Sequence, residues 1–137
     1  METKTEYQKI KEKYKLPSFE YMDTEFEISA IKIPDSGVFI KAVLRAINNK
    51  VGIVINYFEP VITPQQTMHS MIELNGIKED EKKDFYSIYR KLGLMYHELC
   101  LAELETEEKI AEQINKTAKD WNKLKPKVMS CLQIINK

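Results

Sequence analysis

The clearest pattern in the chain is a stripe of apolar residues that recurs every three or four positions between residues 85 and 102. It consists of Phe85, Ile88, Leu92, Met95, Leu99 and Ala102. This spacing places the side chains on one face of an α-helix. Glu79, Asp80 and Glu81 stand just before the stripe, where the positive end of a helix dipole favours acidic residues. We therefore predict a long helix that turns this stripe toward the core.

Two short helices and one long helix are predicted in the N-terminal half. Residues 5–15 form a short helix that Pro17 ends, because the residue before a proline is pushed out of helical conformation. Ser18 can cap a second helix that runs to Phe26. The segment from Val38 to Pro60 is apolar nearly all round, which is typical of a central, buried helix.

Further helix starts lie in the C-terminal half. Thr63-Pro64 combines a capping residue with a proline at the first helical position, and this helix is expected to end at Gly76. Thr106 can cap another helix, which Pro126 is expected to interrupt before a short last helix. Together these patterns predict one all-α domain over residues 1–137, a bundle of five or six helices.

One alternative concerns two segments that have strand-like features. Phe26-Glu27-Ile28-Ser29-Ala30 alternates between apolar and other residues, and Val51-Gly52-Ile53-Val54-Ile55 is rich in β-branched side chains. Strands near 26–33 and 51–58 would give an α+β fold. The all-α fold is favoured, since no other segment could supply a sheet of useful size.

Composition narrows the classes of function. The chain has 137 residues with 21 basic and 21 acidic side chains, so it has no formal net charge. A neutral chain does not capture nucleic acid or anionic membrane by bulk attraction, although a local patch can. The basic residues are almost all lysine, and isoleucine is abundant, as in proteins of AT-rich microbial genomes. With so few arginines, the chain has little capacity to bind phosphate through two parallel guanidinium hydrogen bonds.

The chain has the features of a cytoplasmic protein with reduced thiols. Cys100 and Cys131 are too few for a disulfide scaffold. The first residues contain no apolar signal segment. The longest apolar run, from Val38 to Phe58, contains too many polar residues for a membrane span.

A second stripe runs beside the core stripe of the long helix and is the strongest candidate for an interaction face. It contains Tyr86, Tyr89, Gly93 and Tyr96. Tyrosine is favoured at interfaces because it buries apolar area and keeps a polar tip. Two interpretations stay open, a second core face or a contact with another protein. We predict a non-catalytic module that binds a protein partner or forms a homodimer.

A lysine-rich stretch between Lys116 and Lys127 supports a second hypothesis, nucleic-acid binding. The candidate residues are Lys116, Lys119 and Lys123 for phosphate contacts and Trp121 for base stacking. The alternative is an ordinary solvated helix face with Trp121 in the core. Acidic residues from Glu103 to Glu112 would cancel part of the positive field.

Catalytic and metal-binding patterns are weak. Acidic pairs one helical turn apart can bind Mg²⁺, as in all-α pyrophosphohydrolases. The pairs here occur in the reverse of the order in those enzymes: Glu20 and Asp23, Glu81 and Asp84, then Glu105 and Glu108. His97 and Cys100 could bind zinc, but His69 and Cys131 lie on other predicted helices. A magnesium-dependent phosphohydrolase is thus the third hypothesis, and no cofactor is expected.

Overall fold

The computed structural model describes residues 3–32, 38–62 and 79–135, and within these ranges every regular element is helical. The elements are α1 (Thr3–Tyr14), α2 (Phe19–Phe26), a 3₁₀ turn (Ile28–Ala30), α3 (Phe39–Ile62), α4 (Glu79–Ala102) and α5 (Glu107–Ile135). The predicted all-α fold is confirmed.

Two further predictions from the sequence concern strands in the N-terminal half and a helix after residue 62. The alternative with strands near 26–33 and 51–58 is wrong, because Phe26 ends α2, a 3₁₀ turn follows, and 51–58 lies inside α3. The helix expected from Thr63-Pro64 to Gly76 lies outside the described residues.

The three long helices α3, α4 and α5 form an antiparallel bundle. Contacts between α3 and α4 follow one register in which the residue numbers run in opposite directions: Arg45 with Glu103, Asn48 with Cys100, Gly52 with Tyr96, and Glu59 with Tyr89. A short turn then returns the chain, so α4 and α5 form an antiparallel hairpin. The helices α1 and α2 pack against α3, and their side chains also reach α5.

The core is built from the apolar stripes that the sequence predicts. All six residues of the stripe on α4 are buried, and Phe85 packs against Phe58 of α3 with 5.7 Å between ring centroids. On α5, the predicted buried face includes Ile110, Ile114 and Trp121, which are all buried. Burying one large apolar side chain contributes about 1.5–3 kcal/mol, so these stripes supply the main stabilisation of the bundle.

Both predicted helix caps that lie in the described residues are present. The Ser18 hydroxyl accepts a hydrogen bond from the backbone N–H of Tyr21 at 3.1 Å. The Thr106 hydroxyl accepts one from the N–H of Lys109 at 3.4 Å. Each bond satisfies a backbone donor that the first turn of a helix leaves unpaired.

The predicted interruption at Pro126 is wrong, because α5 continues through this residue to Ile135. Proline removes one backbone hydrogen bond and disfavours the interior of a helix. Here Leu124, Val128 and Cys131 remain buried on one face on both sides of the proline. Burial of this face outweighs the lost hydrogen bond, so the helix is not broken.

Candidate interaction surface on the α4–α5 hairpin

Helix α4 has a flank on each side of its buried stripe, and the two flanks have different surroundings. The α3 flank carries the stripe proposed above as an interaction face, which is Tyr86, Tyr89, Gly93 and Tyr96, and it continues to Cys100. The opposite flank carries Lys91, Leu94, Glu98 and Leu101, and it borders α5.

Most residues of the α3 flank are engaged by α3 of the same chain. The Tyr89 hydroxyl donates a hydrogen bond to Glu59 Oε1 at 2.9 Å. This hydrogen bond raises the pKa of Tyr89. Partial burial and the negative charge of Glu59 raise it further. The Tyr96 ring covers Gly52, where a Cβ would lie 3.4 Å from Cε2 of the ring. The structure therefore uses two of the tyrosines within the bundle.

Part of the α3 flank is nevertheless accessible to solvent. Tyr86 is 54% exposed and Tyr96 is 40% exposed. A Cβ added at Gly93 would meet no atom within 4 Å, so the surface is open at this point. The structure leaves part of the predicted stripe available for a partner, and its role as an interface stays a prediction.

On the other flank, a groove runs along the outside of the hairpin between α4 and α5. We call it the outer groove. It consists of three adjoining cavities of about 320, 360 and 380 Å³. Lys91 and Lys127 line both of the first two cavities, and Glu98 and Lys116 line both of the last two. Because neighbouring cavities share side chains, they form one surface.

Two leucines project from the rim of the outer groove. Leu94 is 61% exposed and Leu101 is 54% exposed, although both belong to a helix at the centre of the bundle. They are seven residues apart, which places them on the same side of α4. Leu104, in the turn after α4, is 86% exposed. Sequence inspection missed these leucines, because a leucine beside a core stripe looks like part of the core.

The charges of the outer groove are divided along its length. The basic part contains Lys91, Lys123 and Lys127, none of which forms an ion pair with a residue in the described ranges. Asp120 also lies in the basic part. The acidic part, at the turn between the helices, contains Glu105 and Glu112 together with Lys109. The surface thus presents opposite charges at two places along one groove.

An ion pair marks the boundary between the two parts of the groove. Lys116 Nζ lies 2.9 Å from Glu98 Oε2, and Glu98 also accepts a hydrogen bond from Gln113 at 3.4 Å. The hydrogen bond and charge of Glu98 raise the pKa of Lys116. Both residues line the groove, and their charges cancel locally.

The predicted nucleic-acid residues do not form one surface. Lys116 and Lys123 line the outer groove, whereas Lys119 is exposed but is not part of its lining. Trp121 is 3% exposed and lies in the core. A stacking role for Trp121 therefore does not fit this fold, and the alternative of a core tryptophan is correct for this residue.

Trp121 instead helps to hold α2 against α5 through a buried carboxylate. Its Nε1–H donates to Glu25 Oε1 at 2.8 Å, and Lys125 Nζ donates to Glu25 Oε2 at 2.7 Å. Burial by itself would raise the pKa of Glu25. The two hydrogen bonds and the positive charge of Lys125 outweigh burial and hold this pKa below its ordinary value. The cluster has a structural role.

The candidate metal ligands are not brought together. Glu20 and Asp23 lie on α2, and Glu81 and Asp84 lie at the start of α4. Glu105 lies in the turn after α4, and Glu108 lies in the first turn of α5. In the part of the chain that the structure describes, no group of three or more histidine, cysteine, aspartate or glutamate residues could hold a metal ion. His97 is exposed, and Cys100 accepts a hydrogen bond from Asn48 Nδ2 at 3.7 Å. His69 lies outside the described residues.

Two further findings complete this description. Among the described helices, none combines the length and the apolar character that are needed to cross a bilayer. No protein-family model matches the chain, and the searches of curated proteins and of solved structures found no similar protein.

Proposed function

We propose that this protein is a non-catalytic helical module that associates with a second copy of itself through the outer groove. The observation that carries the proposal is the exposure of Leu94 and Leu101 on the rim of one continuous groove. Covering a leucine contributes about 1.5–3 kcal/mol if it is fully buried. Two leucines from each copy provide an apolar centre for such an interface.

A second copy is electrostatically complementary to this groove, because the groove carries both basic and acidic side chains. Its basic part attracts an acidic surface, and its acidic part attracts a basic one. A second copy offers both surfaces at once, which is what an interface with two-fold symmetry requires. The cytoplasm is the compartment we propose, supported by Cys100 and Cys131, which are both free thiols.

Size-exclusion chromatography with light scattering tests the proposal on the wild type and two variants. The wild type should elute with twice the 16.1 kDa mass of the chain. Leu94→Glu should produce a folded monomer, since it puts a charge into the apolar centre. Tyr86→Glu is the matched control, because Tyr86 is exposed to a similar extent on the other flank of α4.

The outcomes distinguish the two flanks. A monomeric wild type at high concentration would contradict self-association. A dimer that Tyr86→Glu dissociates and Leu94→Glu does not would place the interface on the tyrosines. Circular dichroism of each variant shows whether it keeps the helical fold.

Nucleic-acid binding is the second candidate, favoured by the three groove lysines without ion pairs. Against it, acidic residues border the basic part at both ends, with Asp84 on one side and Glu105 on the other. A fluorescent single-stranded oligonucleotide at low salt tests this candidate. Binding that falls with salt and is lost in Lys123→Glu would support it. Absence of binding at low salt would exclude it.

A further inference from the structure

We infer that the two copies pack with their α4 helices antiparallel, across a two-fold axis near Glu98, so that Lys91 of each copy faces Glu105 of the other. This inference rests on the proposed self-association and specifies its geometry. It follows from the order of side chains along the groove and from the position of the ion pair between Lys116 and Glu98.

The side chains on the groove side of α4 are ordered so that two copies running in opposite directions place lysine against glutamate and leucine against leucine. The residues are Lys91, Leu94, Glu98, Leu101 and Glu105, in steps of three and four. Glu105 lies in the turn after α4, where its N–H donates to the carbonyl of Ala102 at 3.0 Å, and it lines the groove beside Glu98 and Leu101. Reversal about Glu98 places Leu94 against Leu101 of the second copy and Lys91 against Glu105.

The leucine pair and the charged pair place the two-fold axis at nearly the same point of the chain, within half a residue of each other. Leu94 lies four residues before Glu98 and Leu101 lies three residues after it. Lys91 and Glu105 each lie seven residues from Glu98. An axis at one position therefore satisfies an apolar pair and a charged pair on each side. The part of this contact on α4, from Lys91 to Ala102, spans about 17 Å at 1.5 Å per residue.

Helix α5 adds charges of both signs. Lys123 and Lys127 line the groove with Lys91, and Glu112 lines it with Glu105, but Asp120 also lies in the first part and Lys109 in the second. The antiparallel arrangement places each basic part on an acidic part. A parallel arrangement would place lysine against lysine and glutamate against glutamate, which is destabilising. The pairing of Lys91 with Glu105 on the α4 side therefore favours the antiparallel arrangement.

The axis itself would place the two Glu98 carboxylates near each other. Each of them is already paired with Lys116 at 2.9 Å. Two carboxylates and two ammonium groups at the axis are neutral as a set. The intramolecular ion pair thus removes the repulsion that two glutamates would otherwise cause at this point.

A charge exchange tests the geometry by sedimentation velocity of the full chain. Lys91→Glu and Glu105→Lys should each weaken the dimer, by about tenfold or more, because each places like charges together twice in the dimer. The double variant restores opposite charges and should return the dimer dissociation constant to near the wild-type value. Arg90→Glu is the control, since Arg90 is exposed on α4 and does not line the groove.

The result separates the geometry from the self-association on which it rests. If the wild type dimerises and the double variant is as weak as the single variants combined, the inferred register is wrong and self-association stands. If the wild type is a monomer, the proposed function itself fails. If Arg90→Glu weakens the dimer as much as Lys91→Glu, the charge pairing is wrong.

A disulfide experiment gives an independent readout of the same register. Leu94→Cys and Leu101→Cys proteins are prepared separately in a Cys100→Ser background and then mixed. Oxidation should link one protein to the other, because the two positions face each other across the axis. Each protein alone should form few linked dimers. Equal linking of the mixture and of the separate proteins would overturn the inferred register.

Discussion

The two flanks of α4 differ in what their side chains contact. On the α3 flank, Tyr89 donates a hydrogen bond to Glu59 and Tyr96 covers Gly52, so two aromatic side chains are partly used within the bundle. On the outer flank, Leu94 and Leu101 are more than half exposed beside a charged groove. The comparison shows that aromatic residues beside a core stripe can serve the core, while plain leucines on the other side remain uncovered.

The largest expected effect contrasts a core residue with an outer-flank residue. Phe85→Ala removes a fully buried ring that packs on Phe58 and should lower the free energy of unfolding by about 3–5 kcal/mol. Leu94→Ala should change the stability of the monomer by less than about 0.5 kcal/mol. Urea denaturation of both variants in dilute solution measures the difference. A comparable loss in both would show that the outer flank is part of the core.

The next largest effect on stability is expected at Glu25, which, like Glu98, places a carboxylate against α5. Glu25→Gln weakens two hydrogen bonds at a buried site and should cost about 2 kcal/mol near neutral pH. The pKa of Glu25 in the folded protein is below the ordinary 4.5. Its stabilisation is therefore present above that value and is lost as the pH falls through the folded-state pKa. Thermal unfolding should show the two proteins converging in acid.

Glu98→Gln is the matched control for that experiment. Glu98 forms an ion pair whose lysine is mostly exposed to solvent, so solvent screens the interaction. The monomer should lose little stability at any pH. If Glu25→Gln is as mild as Glu98→Gln, the buried cluster does not hold α2 to α5.

A modest gain in stability is expected at Gly93, on the α3 flank. Gly93→Ala should raise the free energy of unfolding by about 1 kcal/mol, because alanine favours the helix and its Cβ meets no atom within 4 Å. Self-association should not change. Loss of the dimer on Gly93→Ala would instead show that a second helix approaches closely at this glycine. Denaturant unfolding and light scattering of the same sample check both expectations.

Local patterns predicted the helices and most of the core. The spacing from Phe85 to Ala102 fixes a helix face, and Ser18 and Thr106 mark helix starts through bonds to residues three positions away. Such features depend on neighbours in sequence. Pro126 was misjudged because the burial of Leu124 and Val128, which keeps the helix whole, depends on tertiary packing.

The candidate surface was harder to predict, since it depends on which flank of α4 is covered. The sequence shows the tyrosine stripe beside the core stripe but does not show on which side of α4 the helix α3 packs. The pairing of Glu25 with Trp121 joins residues 96 positions apart, so no local pattern reveals it. Lys91 and Lys127 lie on different helices and become neighbours in one groove only through the hairpin.

Thiol labelling compares the two flanks most directly. Leu94→Cys and Tyr86→Cys, each in a Cys100→Ser background, are reacted with a maleimide in dilute and in concentrated solution. The account predicts that labelling of Leu94→Cys slows at high protein concentration, because the second copy covers the outer groove, while Tyr86→Cys reacts at one rate throughout. Equal rates for Leu94→Cys at all concentrations would contradict the account, and slowing at Tyr86→Cys alone would move the interface to the tyrosine flank.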